Sequence, residues 1–373
     1  MNGHPSEQGW RKRGWPATCI WVAAGLVGLC LAGRCNEALV QMRSAYRLNP
    51  ADPVENAPPL VTFTTVVLGG FSGLIADMLW LRVSRLQDEG RYVELVQLAD
   101  WIAKLEPRNA EVWGFHAWNM AYNVSVMMPD FEDRWRWVRS AIALLRDEGL
   151  EYNRGDSKLC WELGWLFQNK IGGNMDHAAS YYRRQWAREM TALFDGPCPD
   201  AEELDHKPDV ANRLRKEYKL DPILIAKTDR EYGPLDWRLP EAHAVYWACR
   251  GRERAGPGAK LPSERMIMQS MSAAFRQGRL AGFLPDGNLD IHPNLELLLR
   301  VLRTYEALLE EHPGEETLKT AYANFLGTAV RLLNRLDHRD EARNLFQRMA
   351  ARFPSPETAN GFDAFIMRET HGE

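Results

Sequence analysis

At 373 residues, with 45 % hydrophobic and 26 % charged residues, the chain has the composition of an ordinary folded protein, long enough for one large or two medium domains. A formal charge of −4 and the lack of an extended Lys/Arg block exclude nucleic acid as its main partner. The six Cys contain no C-x-x-C pair, which removes zinc and thioredoxin-like chemistry and leaves inert thiols as the expectation.

In chain order, residues 1–16 form a basic tail with Arg11, Lys12 and Arg13. Residues 17–34 (ATCIWVAAGLVGLCLAG closed by Arg34) carry no charge before that Arg and read as a single transmembrane anchor. Seventeen helical residues rise roughly 25 Å, short against a ~30 Å hydrocarbon layer unless the flanks snorkel, and Trp10 and Trp15 suit one interface. No clean A-x-A site comes after it, so a retained signal anchor is expected over a cleaved signal peptide. The leading basic cluster places the N-terminus in the cytoplasm and the bulk of the chain outside it. A second uncharged run at 58–76 reads as a buried helix within a juxtamembrane segment, 35–75; as a second span it would return the bulk to the cytoplasm.

From residue 76 the helical period dominates and strand signals are almost absent. ADMLWLRVSRLQDEG has Leu79, Val83 and Leu86 on one face and stops at Gly90. RYVELVQLADWIAKLEP has Leu95, Ala99 and Ile102 on one face and ends at Pro107. NAEVWGFHAWNMAYNV then starts behind Asn109, a candidate cap. The apolar register with residues four, seven and twelve positions on recurs as Leu95, Ala99, Ile102, Pro107; Val301, Tyr305, Leu308, Pro313; Ala342, Phe346, Met349, Pro354; and Ala38, Met42, Ala45, Pro50. Weaker copies are Ala141, Leu145, Glu148, Asn153 and Ala178, Tyr182, Gln185, Met190.

This pattern resembles the tetratricopeptide repeat family, best over Ala76 to Asn109, although the copies are not spaced at a constant 34 residues. The resemblance implies an all-α solenoid of αα-hairpin repeats over residues 76–194. A Pro-rich irregular and helical insertion at 195–290 and C-terminal helical hairpins at 291–373 would complete the chain. It further implies that the first helix of each unit lines the concave side.

That implication addresses an oddity of residues 113–122, WGFHAWNMAY, which carry apolar side chains on two opposite helix faces. The second face would line the groove with Trp80 and Gln87 from the first unit, then Phe115, Trp118, Asn119 and Tyr122. Trp161, Trp165, Gln168 and Asn169 come from the third. Nine of the 14 Trp fall between residues 80 and 186. The expected partner is a protein or peptide, such as a member of a membrane-associated assembly, with no cofactor and no metal. Two rivals stand beside it. One is an all-helical enzyme acting on carbohydrate or peptidoglycan, with Glu162 as its carboxylate. The other is a structural spacer whose groove is filled from within.

The remaining features have structural readings. Asp130, Glu132 and Asp133 sit at a helix start, where the macrodipole favours anions. Asp286, Asn288 and Asp290 mimic a calcium loop, but Ile291 and Leu297 replace its Gly and bidentate Glu, so a turn is expected. His116 and His243 are expected to be hydrogen-bonded structural residues. No nucleotide-binding or serine-hydrolase motif occurs.

Overall fold

The computed structural model describes residues 72–194, 196–198, 207–256 and 258–367, with the isolated positions 27, 34 and 42. The expected anchor at 17–34 and the register copy at Ala38, Ala45 and Pro50 lie outside the continuous described segments. No helix among the described residues is long and apolar enough to cross a membrane.

Helix α1 (Ser72–Asp88) and helix α2 (Tyr92–Leu105) form a hairpin around Gly90, whose φ of +71° suits a residue without Cβ. Helix α3 (Ala110–Trp118) starts behind Asn109, whose side chain accepts from the Glu111 N–H at 3.2 Å. It continues through a π-helical segment, Asn119–Val124, and a last turn, Ser125–Met127. Helix α4 (Phe131–Ala143) likewise runs on through a π segment, Leu144–Gly149, and helix α5 (Ser157–Trp165) through Leu166–Ile171. At the start of α4 the Asp130 side chain makes no cap bond. Glu132 and Asp133 are instead held by Arg136, at 2.6 and 3.0 Å.

Helices α6 (Ala179–Thr191), α7 (Pro208–Glu217), α8 (Pro222–Tyr232), α9 (Pro240–Arg254) and α10 (Leu261–Gln277) come next. Three of these, α7, α8 and α9, open on Pro at their first position, where the missing N–H costs nothing. Strands β1 (Arg279–Phe283) and β2 (Leu289–His292) pair antiparallel. Sequence periodicity missed this hairpin, although Asp286-Gly287 is a strong turn signal and Gly287 has φ +82°. Asp286 accepts from the Asn288 N–H and amide at 2.9 Å, a turn built on the false calcium motif. Helices α11 (Leu298–Glu311), α12 (Glu316–Arg335), α13 (Arg339–Arg352) and α14 (Phe362–Met367) complete the described chain, which is predominantly helical.

The register residues Leu95, Ala99, Ile102, Val301, Tyr305, Leu308, Ala342, Phe346 and Met349 are all buried, as the helical period requires. All of them except Ala99 join one core that runs from Ala76 to Phe365. At its middle lies α9, buried along most of its length, which packs on α5 on one side and α10 on the other. Small residues permit the approach: a Cβ on Gly164 would lie 3.3 Å from the Ala244 carbonyl, and one on Gly251 3.1 Å from the Ser157 carbonyl. A buried ion pair, Arg183 to Glu241 at 2.6 Å, ties α6 to α9, and Arg183 also donates to the Gly172 and Gln277 carbonyls.

Candidate functional site

The aromatic residues of α1, α3 and α5 form three close pairs. Trp80 meets Phe115 edge to face at 5.1 Å. Trp118 stacks on Tyr122 at 5.5 Å, and Trp161 on Trp165 at 5.2 Å. Such geometries are favoured by the ring quadrupole. Trp80, Phe115, Tyr122, Trp161 and Trp165 are half-buried, and Trp118 is 43 % exposed. Gln87 is exposed, and the apolar surface extends along α1 through Leu74, Met78 and Leu81, all open to solvent.

Glu162 of α5 lies against α3: a Cβ on Gly114 would meet its Cγ at 3.5 Å, an ordinary van der Waals contact. Burial pushes the Glu162 carboxyl up; Lys158 opposes and Glu111 adds to that rise. Glu111 is itself ion-paired to Lys158. Behind Tyr122, the Lys170 ammonium lies 5.1 Å from the ring centroid and pairs with Asp176 at 2.5 Å, both nearly inaccessible. Tyr182 donates to the same carboxylate at 3.1 Å, and Arg134 lies 3.5 Å from it. Helical periodicity gives no sign of this support, because Lys170 and Asp176 fall in a stretch with the composition of a polar loop.

The amides fare differently from their expected role. Asn119 is fully buried: its Nδ2 donates to the Phe115 carbonyl at 2.9 Å, and its Oδ1 accepts from Asn123 at 2.7 Å. Gln168 donates to Ser270 at 3.0 Å and the Met266 carbonyl at 3.3 Å, and Asn169 to Gln168 at 3.3 Å. Helix α10 therefore covers the α5 end of the face, and these three amides are engaged within the chain. The open part of the face is aromatic.

His243 is a structural residue, its Nε2 2.9 Å from the Trp237 carbonyl and its ring among Phe167, Trp186 and Trp237. Burial holds it neutral, with a pKa lowered to about 4. The thiols of Cys160 and Cys249 are pushed up by burial, Cys249 to about 12, which leaves them protonated and unreactive. Glu264, Glu311 and His312 bring ligand atoms within 4.8 Å of one another. His312 already hydrogen-bonds Glu264 at 3.2 Å and Glu311 is exposed, so the trio works as a contact between α10 and the end of α11.

Compared with known proteins, the chain matches no family model, no curated protein and no solved structure.

Proposed function

We propose that the chain is a membrane-anchored helical-repeat protein of tetratricopeptide type that holds a polypeptide partner on the aromatic face of α1, α3 and α5. The observation that carries this reading is Trp118, which keeps 43 % of its surface open while stacked on Tyr122, between the Trp80–Phe115 and Trp161–Trp165 pairs. Large rings left partly wet in a row are what a binding surface needs, since they offer apolar area at low entropic cost. Residues 17–34 would tether this face to the membrane, within an envelope assembly.

The test is a pull-down from detergent extract with the whole chain and a Trp118→Ala variant, its helicity checked by circular dichroism. The parent retains a polypeptide partner and the folded variant loses it. An unchanged partner list would sink the proposal and leave the face as internal packing. Glu162→Gln serves as the control for the carbohydrate-enzyme reading: a binding surface keeps its partner, whereas a glycosidase would lose turnover.

A further inference from the structure

On another side of α3, an open cleft of about 650 Å³ lies between α2, α3 and α4. That volume is within the range of small-ligand sites. Its floor is apolar, from Val96, Met120, Trp137 and Leu144. Its charged lining among the described residues is acidic: Asp100, Asp147 and Glu148, with no Lys or Arg. Two of these acids are neutralised from the rim, Asp100 by Lys104 at 2.6 Å and Asp147 by Arg146 at 2.7 Å. The Glu148 side chain has no such counterion at hydrogen-bonding distance among the described residues.

His116 adds an independent observation. It lines the cleft, is only 4 % exposed, and its Nδ1 has no hydrogen-bond partner among the described residues. A buried polar atom without a partner costs about 1–3 kcal/mol, so its place in the wall of this cleft calls for a reason. Burial lowers the His116 pKa to about 4, with Asp100 opposing and Lys104 assisting, so the ring is neutral at pH 7 and repels no cation. Burial also pushes the Glu148 carboxyl up, and Asp100 and Asp147 add to the rise while Lys104 opposes it. For Glu148 the two neighbouring carboxylates act in the same direction, so a cation beside it would relieve their repulsion. Two π segments meet here, since Met120 belongs to one and Leu144, Asp147 and Glu148 to the other. Such segments are frequent at functional sites.

We infer that this cleft binds a protonated amine or guanidine on an apolar stem, the charged head at Glu148 and the stem along Met120 and Trp137. The chemistry is that of a free alkylamine or of a Lys or Arg side chain in a peptide. The site is separate from the aromatic face, so either can fail without the other.

Titration calorimetry of the full chain tests it with three probes: n-hexylammonium, n-hexanol as its uncharged counterpart, and the peptide acetyl-Leu-Arg-Leu-amide. The ammonium or the peptide binds saturably, and hexanol at least about tenfold more weakly, a difference of ~1.4 kcal/mol. Glu148→Gln, at an exposed position that folding tolerates, weakens the charged probes about tenfold, whereas Glu151→Gln leaves them unchanged. Peptide tighter than free amine identifies a polypeptide source, and the reverse a small amine. Equal binding of hexanol and hexylammonium, indifference to Glu148→Gln, or no saturation of either charged probe by about 10 mM overturns the inference.

Discussion

Trp113 and Trp118 belong to the same helix, and their surroundings assign them opposite tasks. Trp113 is 1 % exposed, donates from Nε1 to the Pro107 carbonyl at 2.8 Å and stacks on Tyr152 at 5.7 Å. Trp113→Ala is therefore expected to cost about 3–5 kcal/mol of unfolding free energy, and Trp118→Ala about 1 kcal/mol or less. Urea denaturation of the two variants checks this, and equal losses would remove Trp118 as a clean probe of binding. His243 supplies a second expectation. Its folded pKa of about 4 lies below the ~6.5 of an unfolded His, so between these values the unfolded chain takes up a proton that the fold refuses. Stability is then complete above about pH 6.5 and falls as the pH drops toward 4, by up to ~1.4 kcal/mol per pH unit for this group. His243→Phe removes the titration. The slope of unfolding free energy against pH should flatten by up to one proton, and an unaltered slope would refute the assignment.

At the scale of elements, the seam between α5 and α9 depends on the absence of side chains. A Cβ at Gly164 would lie 2.5 Å from the Met266 sulfur as well as close to the Ala244 carbonyl. The sulfur can swing away, but the backbone carbonyl cannot. Gly164→Ala should destabilise by about 1–3 kcal/mol despite its gain in helix propensity, read as a lower urea midpoint. The helices themselves are legible in the sequence because apolar residues recur at 3.6-residue spacing: Leu95, Ala99 and Ile102 are buried as that spacing demands. The facing of residues such as Asn119 and Gln168 is not. Each lies in a π segment, which inserts an extra residue per turn and rotates the rest of the helix relative to a regular wheel. Nothing in NMAYNV or LFQNKI announces that insertion. A regular wheel therefore sets Gln168 beside Trp165 in the expected groove, when it in fact bonds Ser270.

For the molecule as a whole, the decisive element is α9, which comes from the stretch that its Pro residues and charge clusters mark as irregular. Within that stretch PEAHAVYWACRG itself reads as a helix starting at Pro240, and it folds as one, Pro240–Arg254; what the sequence does not show is that its middle, HAVYWAC, is buried on every side. Which helices come to cover which is a matter of contacts between distant parts of the chain, such as Gln168 to Ser270, 102 positions apart, and no window of sequence contains them. Because one core joins Ala76 to Phe365, the described region should unfold in a single transition by circular dichroism and tryptophan fluorescence alike. A chain ended before Pro240 should lose protection from hydrogen exchange in α5. Protection retained there would show that the N-terminal helices stand alone. The Gly164–Ala244 seam also sets an order of events on the ribosome. Helix α5 is complete at residue 165, but its cover is finished roughly 90 residues later, a delay on the order of 4–18 s at ~5–20 residues per second. Throughout that interval the nascent chain presents Cys160 and Leu163 without that cover, a period in which a chaperone has its opening.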